Sequence, residues 1–315
     1  MISHWDDAPS RRAERGHLVG TWSDLGSEHG SIGVQRIQVD PEKWSTPLHL
    51  EGAEEEIFWV LGGSGVSVQW EGEGDPVGYD VRPGDCIVHL PLVNAHTLQA
   101  EPDGLDVLAF GQRVFANGIT HLPRAGVAWL GHTWAPVGAD EDRPWLREAA
   151  AGPPEVAELS PRPSTIVNVA DLEPVEQSSA TLGRRVRYLS REAGSVRTGL
   201  RHAEVFPGKL NAPPHCHSAE EEIFVVLEGD GQLLLWEQEG VTEQPVRAGS
   251  IVWRPPGTGI AHAFRGGDEG MTLLMYGTRD PNDMCFYPRS RKLYIRGLGL
   301  ITRVEEQLEY LDGEA

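Results

Sequence analysis

Two histidines, His215 and His217, stand two residues apart in the stretch Pro213 to Gly231, and Glu222 follows them. In a β-strand, residues i and i+2 project to one face, so both imidazoles point one way and Cys216 points the other. Ser218 and Ala219 suit a bend. After it, Glu222-Ile223-Phe224-Val225-Val226-Leu227 has the β-branched and aromatic character of a second strand. That strand brings the Glu222 carboxylate back beside the two rings. Further on, the turn-rich run Gly249 to Gly257 leads to His262, a fourth donor from a later strand. Imidazoles with one carboxylate form a ligand set for Fe, Mn, Ni, Zn or Co. A lone His is usually a surface or core residue, and a run such as Glu220-Glu221-Glu222 is usually a solvated edge. Enclosing an unpaired carboxylate among unpaired imidazoles nevertheless costs several kcal/mol. One divalent transition metal, coordinated by all four, offsets that cost.

These residues resemble the two motifs of the cupin superfamily. Gly208, His215, His217, Glu222 and Gly229 fit the first, with one extra residue after Gly208. Gly249, Pro255, Gly257 and His262 fit the second, although Thr258-Gly259-Ile260-Ala261 is a longer gap than usual and the customary Asn after the His is missing. The resemblance implies a double-stranded β-helix, or jelly-roll barrel, around the metal. Cupins similar in this metal box include dioxygenases, decarboxylases and sugar isomerases. Two-domain members include oxalate decarboxylases and ring-cleaving dioxygenases, while the closer resemblance is to bicupins of undefined role.

The elements that must position these donors occur twice. Thr46 to Gly65 matches Ala212 to Gly231 at a constant offset, with His49 answering His215. The match extends outward: Gly33 answers Gly199, Trp70 answers Trp236, His96 answers His262, and Phe110 to Arg113 answer Tyr276 to Arg279. Such an internal repeat predicts two copies of one domain. The 37 glycines and 23 prolines supply the many turns that an all-β architecture needs. The expected fold is all-β: two tandem cupin barrels over 16–148 and 165–315. A Pro- and Ala-rich linker covers 149–164, and a flexible polar tail covers 1–15. Glu305 to Leu311 suits one short helix. In the first copy His49, Glu56 and His96 persist, but Glu51 stands where His217 stands, and Leu92 replaces a motif Gly after Pro91. This copy is either a second metal site of two His and two Glu or a decayed one.

If Glu222 points inward, Phe224 and Val226 do too, and Phe264 shares the face of His262. They suit the wall of a small-molecule pocket and equally an ordinary core. Arg254, Arg279, Tyr287 and Arg289 are candidate anchors for an anionic substrate. In a chain of net charge −20 they equally suit pairing with surface carboxylates. The same charge argues against nucleic acid and anionic membrane as partners. Cys86, Cys216 and Cys285 are too scattered for a disulfide framework or a CxxC site. Without an apolar leader or a run of transmembrane length, a cytoplasmic protein is expected. There is no GxSxG, P-loop or Rossmann fingerprint after a strand. Tyr287 to Arg296 has a strand pattern suited to burial between domains or subunits, which leaves a homodimer open. The function expected is a metal-dependent enzyme on a small organic, carboxylated metabolite, dioxygenase- or decarboxylase-like. The alternatives are a non-catalytic small-molecule-binding or sensing bicupin and a metal-dependent sugar isomerase.

Overall fold

The computed structural model describes residues 2–26, 30–72, 74–113, 119–130, 134–135, 144–156, 159–237, 240–306, 308, 310 and 312. It is almost entirely β, and each repeat forms one barrel of two sheets. The spine of each barrel is a long bent strand, Glu56–Trp70 in the first and Glu222–Glu237 in the second. Each pairs along its length with a second long strand, Ala95–Gln112 or Ala261–Thr278. Such strands curve because their ladders slip at bulges, here at Val60/Gly62 and Gly63/Gly65, and at Val226/Glu228 and Gly229/Gly231. The motif glycine Gly229 sits at this bend with φ +74, where a Cβ would lie 2.3 Å from the Gly270 carbonyl oxygen. Only glycine fits there.

In the second barrel the large sheet runs Val175–Ser178, Gly183–Arg187, Thr198–Val205, Ala261–Thr278, Glu222–Glu237, Ser250–Arg254, with Gly240–Arg247 on the outer half of the spine. The first barrel repeats it as Ser10–Arg15, Leu18–Asp24, Ile32–Val39, Ala95–Gln112, Glu56–Trp70, Asp85–His89 and Val77–Val81. A smaller sheet closes each barrel. Cys216–His217, Met284–Tyr287, Lys292–Ile295 and Leu300–Arg303 make one. Leu50–Glu51, Ile119–Leu122, Val127–Leu130 and Trp134–Ala135 make the other.

Each large sheet ends on a strand borrowed from the other repeat. Ile2–His4 pairs with Ser250–Arg254 of the second barrel, and Ile166–Asn168 pairs with Asp85–His89 of the first. The expectation of a flexible tail over 1–15 is therefore corrected. Ser10–Arg15 is likewise a strand, paired with Leu18–Asp24. Its polar sequence reflects an edge strand with a mostly exposed pattern, not a lack of structure. The segment expected as a linker is also docked. Ser160 N donates to Gly78 O, and Arg162 holds the fully buried Asp85 through bonds of 2.8 and 2.7 Å.

One helix was not anticipated, and one helical expectation needs correction. Pro144–Ala151 is a helix, with Pro at its start followed by good helix formers. Its Trp145 packs edge-on against Trp22 at 5.8 Å. At the other end, Glu305 and Glu306 are not helical, and 307, 309 and 311 of that expected helix lie outside the described residues. Among the described residues no helix is long and apolar enough to cross a membrane.

Each barrel has an apolar interior, and a third core joins them. Ile57, Trp59 and Phe110 of the first barrel meet Ile223, Leu274 and Tyr276 of the second in one buried cluster. The middle glutamate of each acidic triplet reinforces this seam. Glu55 accepts bonds from Ser195 Oγ (2.6 Å), Thr198 Oγ1 (2.5 Å), Val196 N (2.9 Å) and Thr198 N (3.1 Å) of the second barrel. Glu221 accepts from Ser31 N (2.8 Å) and Ser31 Oγ (2.5 Å) of the first, and from Trp253 within its own barrel.

His202 lies at the same seam, stacked on Trp59 at 5.9 Å. Burial pushes its imidazole down to about 4, with Glu204 opposing and Arg187 assisting. The neutral ring belongs to the folded state, so this contribution is complete above about pH 6.5 and is lost as pH falls towards 4. His202→Gln is expected to flatten the acid limb of a stability–pH curve in that window by roughly 2 kcal/mol. Equilibrium urea unfolding at pH 7 and pH 4.5 measures it, and an unchanged slope would contradict it.

Candidate metal centre

The spine strand and the small sheet deliver the donors predicted for the second barrel. His217 lies in the short strand that pairs with Met284–Tyr287, and His215 is bridged to His262 across the mouth of the barrel. Glu222 opens the spine strand. The donor atoms of His215, Glu222 and His262 lie within 4.8 Å of one another. His217 Nε2 completes the group, 3.6 Å from Glu222 Oε2.

The rings are aimed from behind. His215 Nδ1 donates to the Pro213 carbonyl at 2.8 Å, and His217 Nδ1 donates to Asp283 Oδ2 at 2.7 Å. A carbonyl and a carboxylate can only accept, so both Nδ1 atoms hold the proton and both Nε2 lone pairs face the centre. Asp283 is itself fully buried, and its other oxygen accepts from Ala219 N and Glu220 N at 3.0 and 3.2 Å. Those bonds and His217 overcome burial and hold its carboxyl down at about 2.

Electrostatics leave His215, His262 and Glu222 in the forms a cation takes, whereas at His217 burial is outweighed by Asp283, Glu222 and Glu220, which raise the ring. Burial lowers His215 to about 3 and also lowers His262, so both rings are neutral. Burial opposes the charge on Glu222, but His262, His217 and His215 outweigh it and hold the carboxyl well below its usual range. Glu222 Oε2 and His262 Nε2 face each other at 3.1 Å, yet neither has a hydrogen-bond partner of proper geometry. Buried polar atoms left in this way are costly unless something else bonds them. The neutral imidazoles of His215 and His262, a carboxylate and two orphaned buried atoms together fit a divalent transition metal.

The first barrel gathers His49, Glu56 and His96 in the same arrangement. Glu51 is further out, 4.0 Å from His49 Nε2, and accepts from Thr120 Oγ1 at 2.9 Å. Here the donors satisfy one another. His96 Nε2 bonds Glu56 Oε2 at 2.9 Å, and Glu56 with Glu51 overrides burial to raise His49. His89 was not anticipated. It pairs opposite Glu56, stacks flat on His96 at 3.7 Å, and is held neutral by burial. A cavity of about 380 Å³ lined by Thr46, Pro47, His49, Thr120, Trp129 and Trp145 opens beside this group.

The other expected pocket residues divide. Phe224 meets His262 edge-on at 5.4 Å, whereas Phe264 lies against Phe224 at 4.7 Å within the barrel core. Tyr287 stacks on His215 at 5.8 Å, and Arg254 sits opposite Glu222 on the neighbouring strand. Arg279 is engaged at the seam, donating to Ser195 O at 2.9 Å. Arg289 is exposed, on a separate hollow shared with Trp236 and Glu237. Asp283 and Cys285 escaped the sequence reading. The Cys285 donor atom lies within 4.8 Å of those of His215 and His217, because Cys285 pairs directly opposite His217. Against the alternative of a solvated edge for the acidic triplet, Glu220 and Glu221 are buried.

The model of the cupin domain family matches residues 201–276. No curated protein has a similar sequence. Among solved structures, oxalate decarboxylase from Bacillus subtilis at pH 4.6 aligns with a TM-score of 0.61 and 17% identity, over 88% of this chain and 75% of that one. The formate complex of Lactobacillus farciminis oxalate decarboxylase aligns with a TM-score of 0.60 and 17% identity, over 90% of this chain and 87% of that one. Another Bacillus subtilis oxalate decarboxylase structure, described with Mn(II) centres, has a TM-score of 0.59 at 15% identity, over 88% and 76%. At such identity the likeness is one of fold. Residues 201–276 of the second barrel match the cupin domain family, and the doubled barrel shares the fold of these oxalate decarboxylase structures.

Proposed function

We propose that the carboxyl-terminal barrel holds one divalent transition metal on His215, His217, Glu222 and His262, and acts on a small carboxylated metabolite in the manner of a decarboxylase or dioxygenase. The observation that carries this reading is the pair of buried, unpartnered atoms, Glu222 Oε2 and His262 Nε2, facing each other beside the neutral ring of His215. The oxalate decarboxylases that share the fold, one of them described with Mn(II), support the reaction class and favour Mn. A bound metal supplies a Lewis acid with an open position for a carboxylate or oxygen.

The chain's own groups do the rest. Asp283 and the Pro213 carbonyl keep the His217 and His215 protons on Nδ1. Phe224 covers one side of His262 with an apolar face that excludes water. Arg254 is 8% exposed and leaves Nε free to meet an anion. The contrast with the first barrel, where the corresponding donors bond one another, is why the second is assigned the reaction.

Metal analysis of protein purified without chelator, followed by carbon dioxide release and oxygen uptake on a panel of small carboxylic acids, tests the reading. Bound Mn or Fe with turnover of an acid is expected. A barrel that takes up no metal on reconstitution, or that binds zinc and turns over nothing, would overturn it.

A further inference from the structure

Several arginines of this acidic chain pair with carboxylates: Arg12 with Asp40, Arg36 with Asp106, Arg162 with Asp85, Arg187 with Glu204 and Arg296 with Glu220. Three at the mouth of the second barrel do not. Arg184 shares the face of Val186, and Arg201 shares the face of Ala203 and Val205, all three of which belong to the barrel interior. Arg254 shares the face of the interior Val252. Among the described residues none of the three forms an ion pair. Arg184 has only the neutral amide of Gln177, at 2.8 and 3.1 Å. Arg201 lies over the Tyr188 ring at 5.5 Å, and Arg254 donates only to the Ile260 carbonyl at 2.9 Å. Lys292, over the Tyr287 ring at 5.1 Å, adds another unpaired cation beside the residue that stacks on His215.

The first barrel serves as an internal control, because the two ladders superimpose residue for residue. The positions of Arg184, Arg201, Arg254 and Lys292 are taken there by Gly20, Gln35, His89 and Val127. Tyr188 becomes Asp24 and Tyr287 becomes Leu122. The cations are thus not a requirement of the fold. Keeping partly buried guanidinium groups without a bonded carboxylate is unfavourable, and a ligand of opposite charge removes the penalty.

We infer that the second barrel selects an acid carrying two anionic groups, one beside the His/Glu cluster within reach of Arg254, the other held by Arg184 and Arg201 at the mouth. This rests on the function proposed above for the same barrel and narrows its substrate to a dicarboxylate class. Arg184 and Arg201 are specificity-determining residues here. The Arg201 charge and the Tyr188 and Tyr287 phenols all bear on Arg184, consistent with one shared anion seat.

The test is calorimetric titration with the series malonate, succinate, glutarate and adipate, against butyrate as the monoacid, with metal content measured on the same samples. At least one diacid is expected to bind more tightly than butyrate. Arg201→Gln is expected to weaken that diacid about tenfold while changing butyrate little, because one charge-assisted interaction is lost. Arg201→Lys, which keeps the charge, should retain most of the preference and shows that the site still folds. Equal binding of diacid and monoacid, no diacid binding at all, or an Arg201→Gln variant indistinguishable from the parent would overturn the inference. Titration of the chelator-stripped protein separates the two readings. Diacid preference that persists there with no metal regained faults the metal assignment, whereas full metal with no preference faults the anion seat.

Discussion

His262→Ala is expected to bring the metal content of the second barrel down to that of chelator-stripped protein. The ring supplies one of the donors and an orphaned buried atom, and alanine offers nothing in its place. The expected loss of affinity is at least about 100-fold, larger than the change from disturbing a residue behind a ligand. Asp283→Asn provides that smaller step. It keeps an acceptor for His217 Nδ1 but removes the charge that fixes the ring, and about a 10- to 100-fold loss is expected. Competition against a chelator of known affinity, with metal quantified in the retained protein, gives both numbers. His96→Ala in the first barrel separates any ion held there. Full occupancy in His262→Ala would show that these side chains are not ligands.

The second large effect concerns the seam. Glu55→Ala removes a fully buried carboxylate and strands hydroxyl and amide donors of Ser195, Val196 and Thr198. Removing one side of a buried, charged network costs about 3–5 kcal/mol. Glu221→Ala should cost less, since among the described residues its side chain accepts from Ser31 and Trp253. Urea midpoints with m-values measure both. A Glu55→Ala midpoint equal to the parent's would mean that water replaces the carboxylate without penalty.

The residues that could be read from sequence were those whose spacing carries their geometry. His215, His217 and Glu222 lie on adjoining strands, so alternation alone places them together, and His262 follows from a turn signature. Asp283 and Cys285 reach the same place through strand pairing across the small sheet, a contact that no local pattern records. Arg201 and Arg184 are similar. Their side chains matter because of which face of the barrel they share, and that face is fixed only by the ladder. The role of Glu55 was not legible for a related reason. Nothing local in its acidic run records that donors from a distant loop occupy the space beside it. The first strands misled because their sequence looks like that of a tail, and only pairing makes them strands, Ile2–His4 on the edge of the opposite sheet and Ser10–Arg15 on its own.

That crossing of Ile2–His4 and Ile166–Asn168 bears on how such a chain arises and how it can be cut. A protein half as long would own one strand to give away and one vacant edge to fill. It could satisfy both only by embracing a twin. The present polypeptide is in effect that couple written as a single gene product, and scissors placed at its midpoint would leave each fragment seeking the partner it lost.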